Sequence, residues 1–172
     1  MPFNPLANSF NTTFFVMPEG TGRFGIMDVK LRKQKWGEGE AYLLDFATRV
    51  EQGNADTNGK LVTISTAIAS YDPATQNARA DAEGNIVVDF KQPAEIVHAC
   101  FGYENGRAEE DERFAREHAN LDLSIDFPTL TLGSGWTDLK GCSFVADVTH
   151  RQDKKDPNKI YPKFNKIRAV NR

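Results

Sequence analysis

The chain has 172 residues, of which 40% are hydrophobic, 10% aromatic and 26% charged, and its net charge is −3. This length and composition predict one globular domain and exclude a wholly disordered, collagen-like or coiled-coil chain. Every apolar run is shorter than the roughly 20 residues that a membrane helix requires, so we expect a soluble protein.

The N-terminal residues and the cysteines bear on the compartment. Residues 1–18 contain neither Lys nor Arg and no long apolar stretch, unlike a secretory signal. The two cysteines, Cys100 and Cys142, lie far apart along the chain, which favours free thiols in a reducing compartment. We therefore expect a cytoplasmic protein.

The chain divides into an N-terminal arm, residues 1–19, and a mainly β domain, residues 20–172. Five segments of the domain alternate apolar and polar side chains or are β-branched, as half-buried strands are. These predicted strands are Arg23–Lys33, Ala41–Val50, Leu61–Ala69, Cys142–His150 and Ile160–Val170. Between the third and fourth strands, the apolar spacing within Gln92–Tyr103 predicts an amphipathic helix.

The alternation also predicts which side chains face the core. In the first strand, Met27, Val29 and Leu31 share the apolar side. In the second, the apolar side comprises Tyr42, Leu44, Phe46, Thr48 and Val50. The segment Lys33–Gly39, with Trp36 and two glycines, is typical of a connecting loop.

An acidic insertion is predicted around residues 104–136. Glu104–Asp126 contains eight acidic and three basic residues, with a brief helix over Glu109–His118. A solubilising surface is the default interpretation. A protein-contact surface, a mimic of DNA that shields a binding groove, and a segment that only caps the fold remain alternatives.

The charge is distributed unevenly along the chain. Gly20–Trp36 contains five basic residues against Asp28 and sums to +4, whereas Gly37–Leu139 sums to −12. Lys140–Arg172 contains nine basic and three acidic residues and sums to +6. The net charge of −3 argues against a nucleic-acid partner, but two basic segments that meet in space could still attract a phosphate chain.

Three strands, a helix and two strands are the element order of a five-stranded oligonucleotide-binding (OB) barrel. Such barrels bind ligands across strands two and three and between the loops that join strands one to two and four to five. Because strands one and four are neighbours in that barrel, we expect the two basic segments to converge on one side.

Single-stranded nucleic acid requires cations for its backbone and aromatic faces for its bases. The alternating pattern favours the core for Phe46 and Phe144, leaves Phe164 open between core and surface, and favours binding for Trp36 and Tyr161. The predicted nucleic-acid-binding residues are Lys30, Arg32, Lys33, Lys35, Trp36, Tyr42, Arg151, Lys154, Lys155, Lys159, Tyr161, Lys163, Phe164 and Lys166.

Several motifs, taken together in their order along the chain, resemble a phage family of small OB-fold single-stranded DNA-binding proteins associated with replication or recombination. They are Pro18-Glu19-Gly20-Thr21, the basic run 30–35 before a glycine-containing turn, Leu139-Lys140-Gly141, and the segment 159–167. The resemblance implies a protein that coats exposed single strands in the host cytoplasm, with replication or recombination proteins as further candidate partners. Unlike bacterial-type relatives with an acidic tail, this chain ends in Arg168-Ala169-Val170-Asn171-Arg172.

Motifs for catalysis are missing from the sequence. It contains no phosphate-binding loop, no zinc-ligand spacing, no His-Glu-x-x-His and no nucleophile elbow, so we expect a non-catalytic protein without metal or cofactor. A metal-dependent nuclease using the run Glu109–Glu112 is the weakest alternative. The principal alternative is a protein-interaction or structural module with the same barrel and no nucleic-acid ligand.

Overall fold

A computed structural model describes residues 16–36, 39–72, 74–75 and 77–170, except for the side chain of Trp36. The predicted N-terminal arm therefore lies mostly outside the described residues. The fold is mainly β, as predicted, and is built on an antiparallel sheet of six strands.

The elements follow one another along the chain with short connections. The strands are β1 (Gly20–Trp36), β2 (Gly39–Gln52), β3 (Leu61–Asp72), β4 (Asn77–Ala78), β5 (Ile125–Asp126), β6 (Thr131–Leu132), β7 (Ser143–Gln152) and β8 (Ile160–Arg168). The helices are α1 (Lys91–Cys100), α2 (Ala108–Glu117) and α3 (Ser134–Thr137). No helix among them is long and apolar enough to cross a membrane.

The main sheet has the strand order β4-β3-β2-β1-β7-β8, and β5 and β6 form a separate hairpin. The five predicted strands correspond to β1, β2, β3, β7 and β8, and the predicted helix, α1, lies between β3 and β7 along the chain. The sheet is not closed into the predicted barrel, because the described parts of β3 and β8 do not pair.

Helix α1 links the two sheet edges that a closed barrel would pair. The Thr66 hydroxyl on β3 donates to Gln92 Oε1 at 2.5 Å, and Gln92 Nε2 donates to the Phe164 carbonyl on β8 at 3.3 Å. After α1, the Asn105 side-chain amide donates to the Ile167 carbonyl at 2.8 Å. These side chains satisfy backbone acceptors of β8 that a neighbouring strand would otherwise satisfy.

A β-bulge changes which side chains of β1 face the core. The pairing of β1 with β2 shifts register between Ile26 and Asp28. Ile26 and Val29 are both buried, whereas Met27 is 44% exposed. The prediction that Met27 faces the core is wrong because an extra residue in one strand reverses the alternation beyond it.

The connection between β1 and β2 is shorter than the sequence predicted. Lys33 pairs with Tyr42, and the ladder continues until Trp36 pairs with Gly39. The predicted loop Lys33–Gly39 is therefore largely strand, and Lys33 and Lys35 lie near the end of a hairpin.

The core lies on the inner face of the sheet, beneath α1 and α3. The apolar side predicted for β2 is buried, and Phe46 and Phe144 are core residues as expected. The Phe24 ring stacks on Phe144 at 5.7 Å between centroids and meets Phe164 edge-on at 5.5 Å. Each fully buried ring contributes about 1.5–3 kcal/mol from burial of its apolar surface.

The acidic insertion is attached to the fold through aromatic contacts. Measured between ring centroids, Phe114 of α2 lies 4.7 Å from His98 of α1. His118, which directly follows α2, lies 4.6 Å from Phe101. Arg113 lies 4.5 Å above the Tyr103 ring. The insertion thus covers the C-terminal end of α1 and keeps most of its carboxylates at the surface.

Candidate nucleic-acid interface

The strand pairing directs the predicted binding cations of the two basic segments toward opposite ends of β1. Strand β1 pairs with β7 only over Gly20–Gly25, and Gly20 lies opposite Val148. The predicted binding cations of the first segment, residues 30–35, follow Gly25 along β1, whereas Arg151 and the turn after it extend beyond Gly20 in the opposite direction. At about 3.3 Å per residue, Lys30 and Arg151 lie roughly 40 Å apart along the strand path. Strand pairing therefore does not set these two groups of cations side by side, and a single groove formed by both stays a prediction.

Part of the first basic segment is neutralised by carboxylates on the same sheet. Arg32 donates to Asp45 on β2 and to Gln34, and Lys30 Nζ lies 3.7 Å from Asp28. Lys33 lies 5.0 Å above the Tyr71 ring, and Lys35 is exposed beside the end of the strand pair. The free positive charge at this end is lower than the sequence implied.

Two aromatic residues predicted to stack on bases lie near this first segment: Trp36 at the end of β1, and Tyr42 opposite Lys33 on β2. Tyr42 has 0% exposure and packs edge-on against Phe127 at 4.8 Å, so its predicted stacking role is wrong. It shares the buried side of β2 with Leu44 and Phe46. Trp36 ends β1, and its side chain lies outside the described residues.

The second basic segment forms an exposed hairpin. We call β7, β8 and their connecting turn, Ser143–Arg168, the basic hairpin; it contains seven basic and three acidic residues. Six of its basic side chains are exposed and form no ion pair within the described part of the chain. These are Arg151, Lys154, Lys155, Lys159, Lys163 and Lys166.

Cross-strand pairing brings a tyrosine among these cations. Tyr161 lies opposite Arg151, and Lys163 lies opposite Thr149 on the same face, because alternate residues share a face. Tyr161 is 41% exposed. Phe164 lies opposite Val148 and is 8% exposed, so the stacking predicted for Phe164 is wrong and its ring belongs to the core.

The carboxylates of the basic hairpin are held by hydrogen bonds. The backbone N–H of Lys155 holds the pKa of Asp153 below its usual value, assisted by the Tyr161 hydroxyl, the backbone N–H of Asp156 and the charge of Lys159. The Thr21 hydroxyl, 2.8 Å away, lowers the pKa of Asp147, and Arg168 and Lys166 lower it further. Both carboxylates are therefore charged at neutral pH, and each has a cation nearby.

The two cysteines, Cys100 and Cys142, lie outside the basic hairpin, before its first strand. Cys100 and Cys142 are free thiols in mutual contact, and burial raises the pKa of the Cys100 thiol well above its usual value. Within the described ranges, no three His, Cys, Asp or Glu side chains are gathered to hold a metal ion.

Asp153 is not among the binding residues predicted from the sequence, although it opens a turn of recognisable sequence. An Asp that opens a polar turn often accepts hydrogen bonds from the backbone two or three residues later. The segment Asp153-Lys154-Lys155-Asp156-Pro157-Asn158 has this pattern. Its contact with Tyr161 depends on strand register, which the turn sequence alone does not specify.

Comparison with known proteins gives no family assignment. No protein-family model matches the chain, and no curated protein matches it significantly.

Proposed function

We propose that this chain is a non-catalytic single-stranded DNA-binding protein that coats exposed strands during phage replication or recombination, in the host cytoplasm. One observation carries the proposal: an exposed tyrosine, Tyr161, lies between Arg151 and Lys163 on a hairpin in which six exposed cations form no ion pair among the described residues. Cations and an aromatic face are the two features that single strands require.

The proposed binding surface is the basic hairpin rather than the outer face of β2 and β3. That face presents small side chains in its central rows, among them Ala47, Thr63 and Ala67. Base stacking needs a ring, and each stacked base contributes about 1–3 kcal/mol. The ring of Tyr161 makes the hairpin the better support for unpaired bases.

We further propose that the fold is an opened relative of the OB barrel. The order β3-β2-β1-β7-β8, with a helix between the third and fourth of the five strands along the chain, supports this relation. The open edge where α1 lies is the departure from a closed barrel.

Binding is tested with a fluorescein-labelled oligothymidylate and full-length protein, by fluorescence anisotropy at about 50 and about 200 mM salt. We expect tight binding at the lower salt, a steep loss at the higher salt, and weaker competition by duplex DNA than by unlabelled single strands. Absence of binding at the lower salt would overturn the proposal. An RNA competitor in the same assay determines the preference for DNA.

A second candidate function follows from the position of β8 at the edge of the sheet. Pro162 and the lysines Lys159 and Lys163 are residue types that protect edge strands from pairing with other chains. If the basic residues serve only this purpose, the protein is an interaction or structural module. It would then be indifferent to nucleic acid, and the lysine variants would aggregate.

A further inference from the structure

One carboxylate organises the turn of the basic hairpin. Asp153 Oδ1 accepts hydrogen bonds from the backbone N–H of Lys155 at 2.7 Å and of Asp156 at 3.3 Å. Its own N–H donates to the Lys159 carbonyl at 2.9 Å. Asp153 therefore fixes the backbone on both sides of the turn that presents Lys154 and Lys155.

The same carboxylate also holds the exposed ring. The Tyr161 hydroxyl donates to Asp153 Oδ2 at 3.1 Å. This contact joins the end of β7 to β8 across the turn, because Tyr161 lies in the ladder opposite Arg151. A partly exposed tyrosine would otherwise exchange between rotamers, so the contact restricts the ring to one orientation.

We propose that Asp153 is a positioning residue for nucleic-acid binding, which holds the Tyr161 ring and the Lys154-Lys155 turn ready for bases and phosphates of a single strand. This inference rests on the function proposed above. Its mechanism is preorganisation: groups that are already ordered lose less freedom when the strand binds.

The inference predicts an effect opposite to that of charge alone. Removing a carboxylate from a cationic surface raises the attraction for phosphates, and by Coulomb's law in water the gain is about two-fold in affinity. If Asp153 positions the ring and the turn, its removal instead weakens binding, because an ordered stacking contact is worth more than that gain. The sign of the change therefore distinguishes the two effects.

The hairpin offers a matched control for the charge. Asp156 is in the same turn, and the only hydrogen bond its carboxylate accepts within the described residues comes from the backbone N–H of Asn158, at 3.1 Å. Asp153→Ala and Asp156→Ala change the net charge equally. We expect Asp156→Ala to bind as tightly as the natural chain or up to about two-fold tighter. We expect Asp153→Ala to bind at least about five-fold more weakly than the natural chain.

Two conservative variants separate the hydrogen bonds from the charge. Tyr161→Phe keeps a ring that stacks but removes the donor to Asp153, and we expect it to bind about two- to five-fold more weakly. The double variant Asp153→Ala, Tyr161→Phe should bind no more weakly than Asp153→Ala alone, because both changes break the same contact. Asp153→Asn keeps an acceptor for the backbone of the turn and should restore most of the binding.

All variants are measured as full-length protein with the labelled oligothymidylate at about 50 mM salt, where electrostatic binding is strong, and their thermal melts are recorded. Failure of the natural chain to bind overturns the proposed function. If the natural chain binds and Asp153→Ala binds as well as Asp156→Ala, the positioning role alone is overturned. Should Asp153→Ala fail to fold, Tyr161→Phe decides: unchanged binding by a folded Tyr161→Phe chain overturns the inference.

Discussion

Replacing Lys154 and Lys155 together by alanine is expected to weaken single-stranded DNA binding and to lower its salt dependence by a calculable amount. Six exposed cations of the basic hairpin form no ion pair among the described residues. Each phosphate contact contributes about 0.7 to the slope of log affinity against log salt for a single strand, so six contacts predict a slope near −4 and four a slope near −3. Between about 50 and 200 mM salt, affinity should fall about 300-fold for the natural chain and about 50-fold for the variant.

The assay is an anisotropy titration at four or more salt concentrations. The control is a double variant, Arg79→Ala with Arg116→Ala, which removes the same charge from exposed positions outside the basic hairpin. The control should keep the slope of the natural chain. If the double variant Lys154→Ala, Lys155→Ala is folded and has the same slope as the natural chain, the assignment of phosphate contacts to this turn is refuted.

Four further predictions concern stability and reactivity. Tyr42→Phe should leave DNA binding unchanged and should keep or raise the free energy of unfolding in urea. The buried Tyr42 hydroxyl has no hydrogen-bond partner among the described residues, so its removal costs no hydrogen bond. A loss of unfolding free energy above about 1 kcal/mol would contradict this. Gly135→Ala should cost roughly 1–3 kcal/mol in the same assay, because its Cβ would lie 2.6 Å from the Asp122 carbonyl oxygen. Since the folded pKa of Asp147 is lowered, its stabilising contribution is complete above the usual value of 3.8 and is lost as pH falls through the folded pKa. Asp147→Asn should therefore lose less stability on acidification than the natural chain, and an equal loss would contradict the assignment. Cys100, whose thiol pKa is raised by burial, should react with iodoacetamide much more slowly in the folded protein than in urea, as counted by mass spectrometry.

The regular elements could be predicted because their signals are local. Alternation of apolar residues located the buried side of β2, from Tyr42 to Val50, and helical spacing located α1. Side-chain direction in a strand or helix follows from backbone geometry, which a short segment determines for itself. The same regularity should have counted against Tyr42 as a surface residue, since it shares the alternation of Phe46.

The candidate site was predicted only in part. The lysines of the turn after β7 and the ring of Tyr161 are exposed, as their predicted role requires, whereas Phe164 lies in the core. Met27 points outward because a bulge interrupts β1, and a single extra residue leaves no clear signature in the apolar pattern.

The sequence by itself determined a mainly β chain with a helix after the third strand, and two basic segments separated by an acidic middle. Only the tertiary structure decided that the predicted binding cations of these segments extend in opposite directions, that α1 bridges two sheet edges through Gln92, and that Asp153 meets Tyr161. The physical reason is range. Periodicity and charge are properties of neighbouring residues, whereas the register between strands depends on hydrogen bonds and packing between residues far apart along the chain.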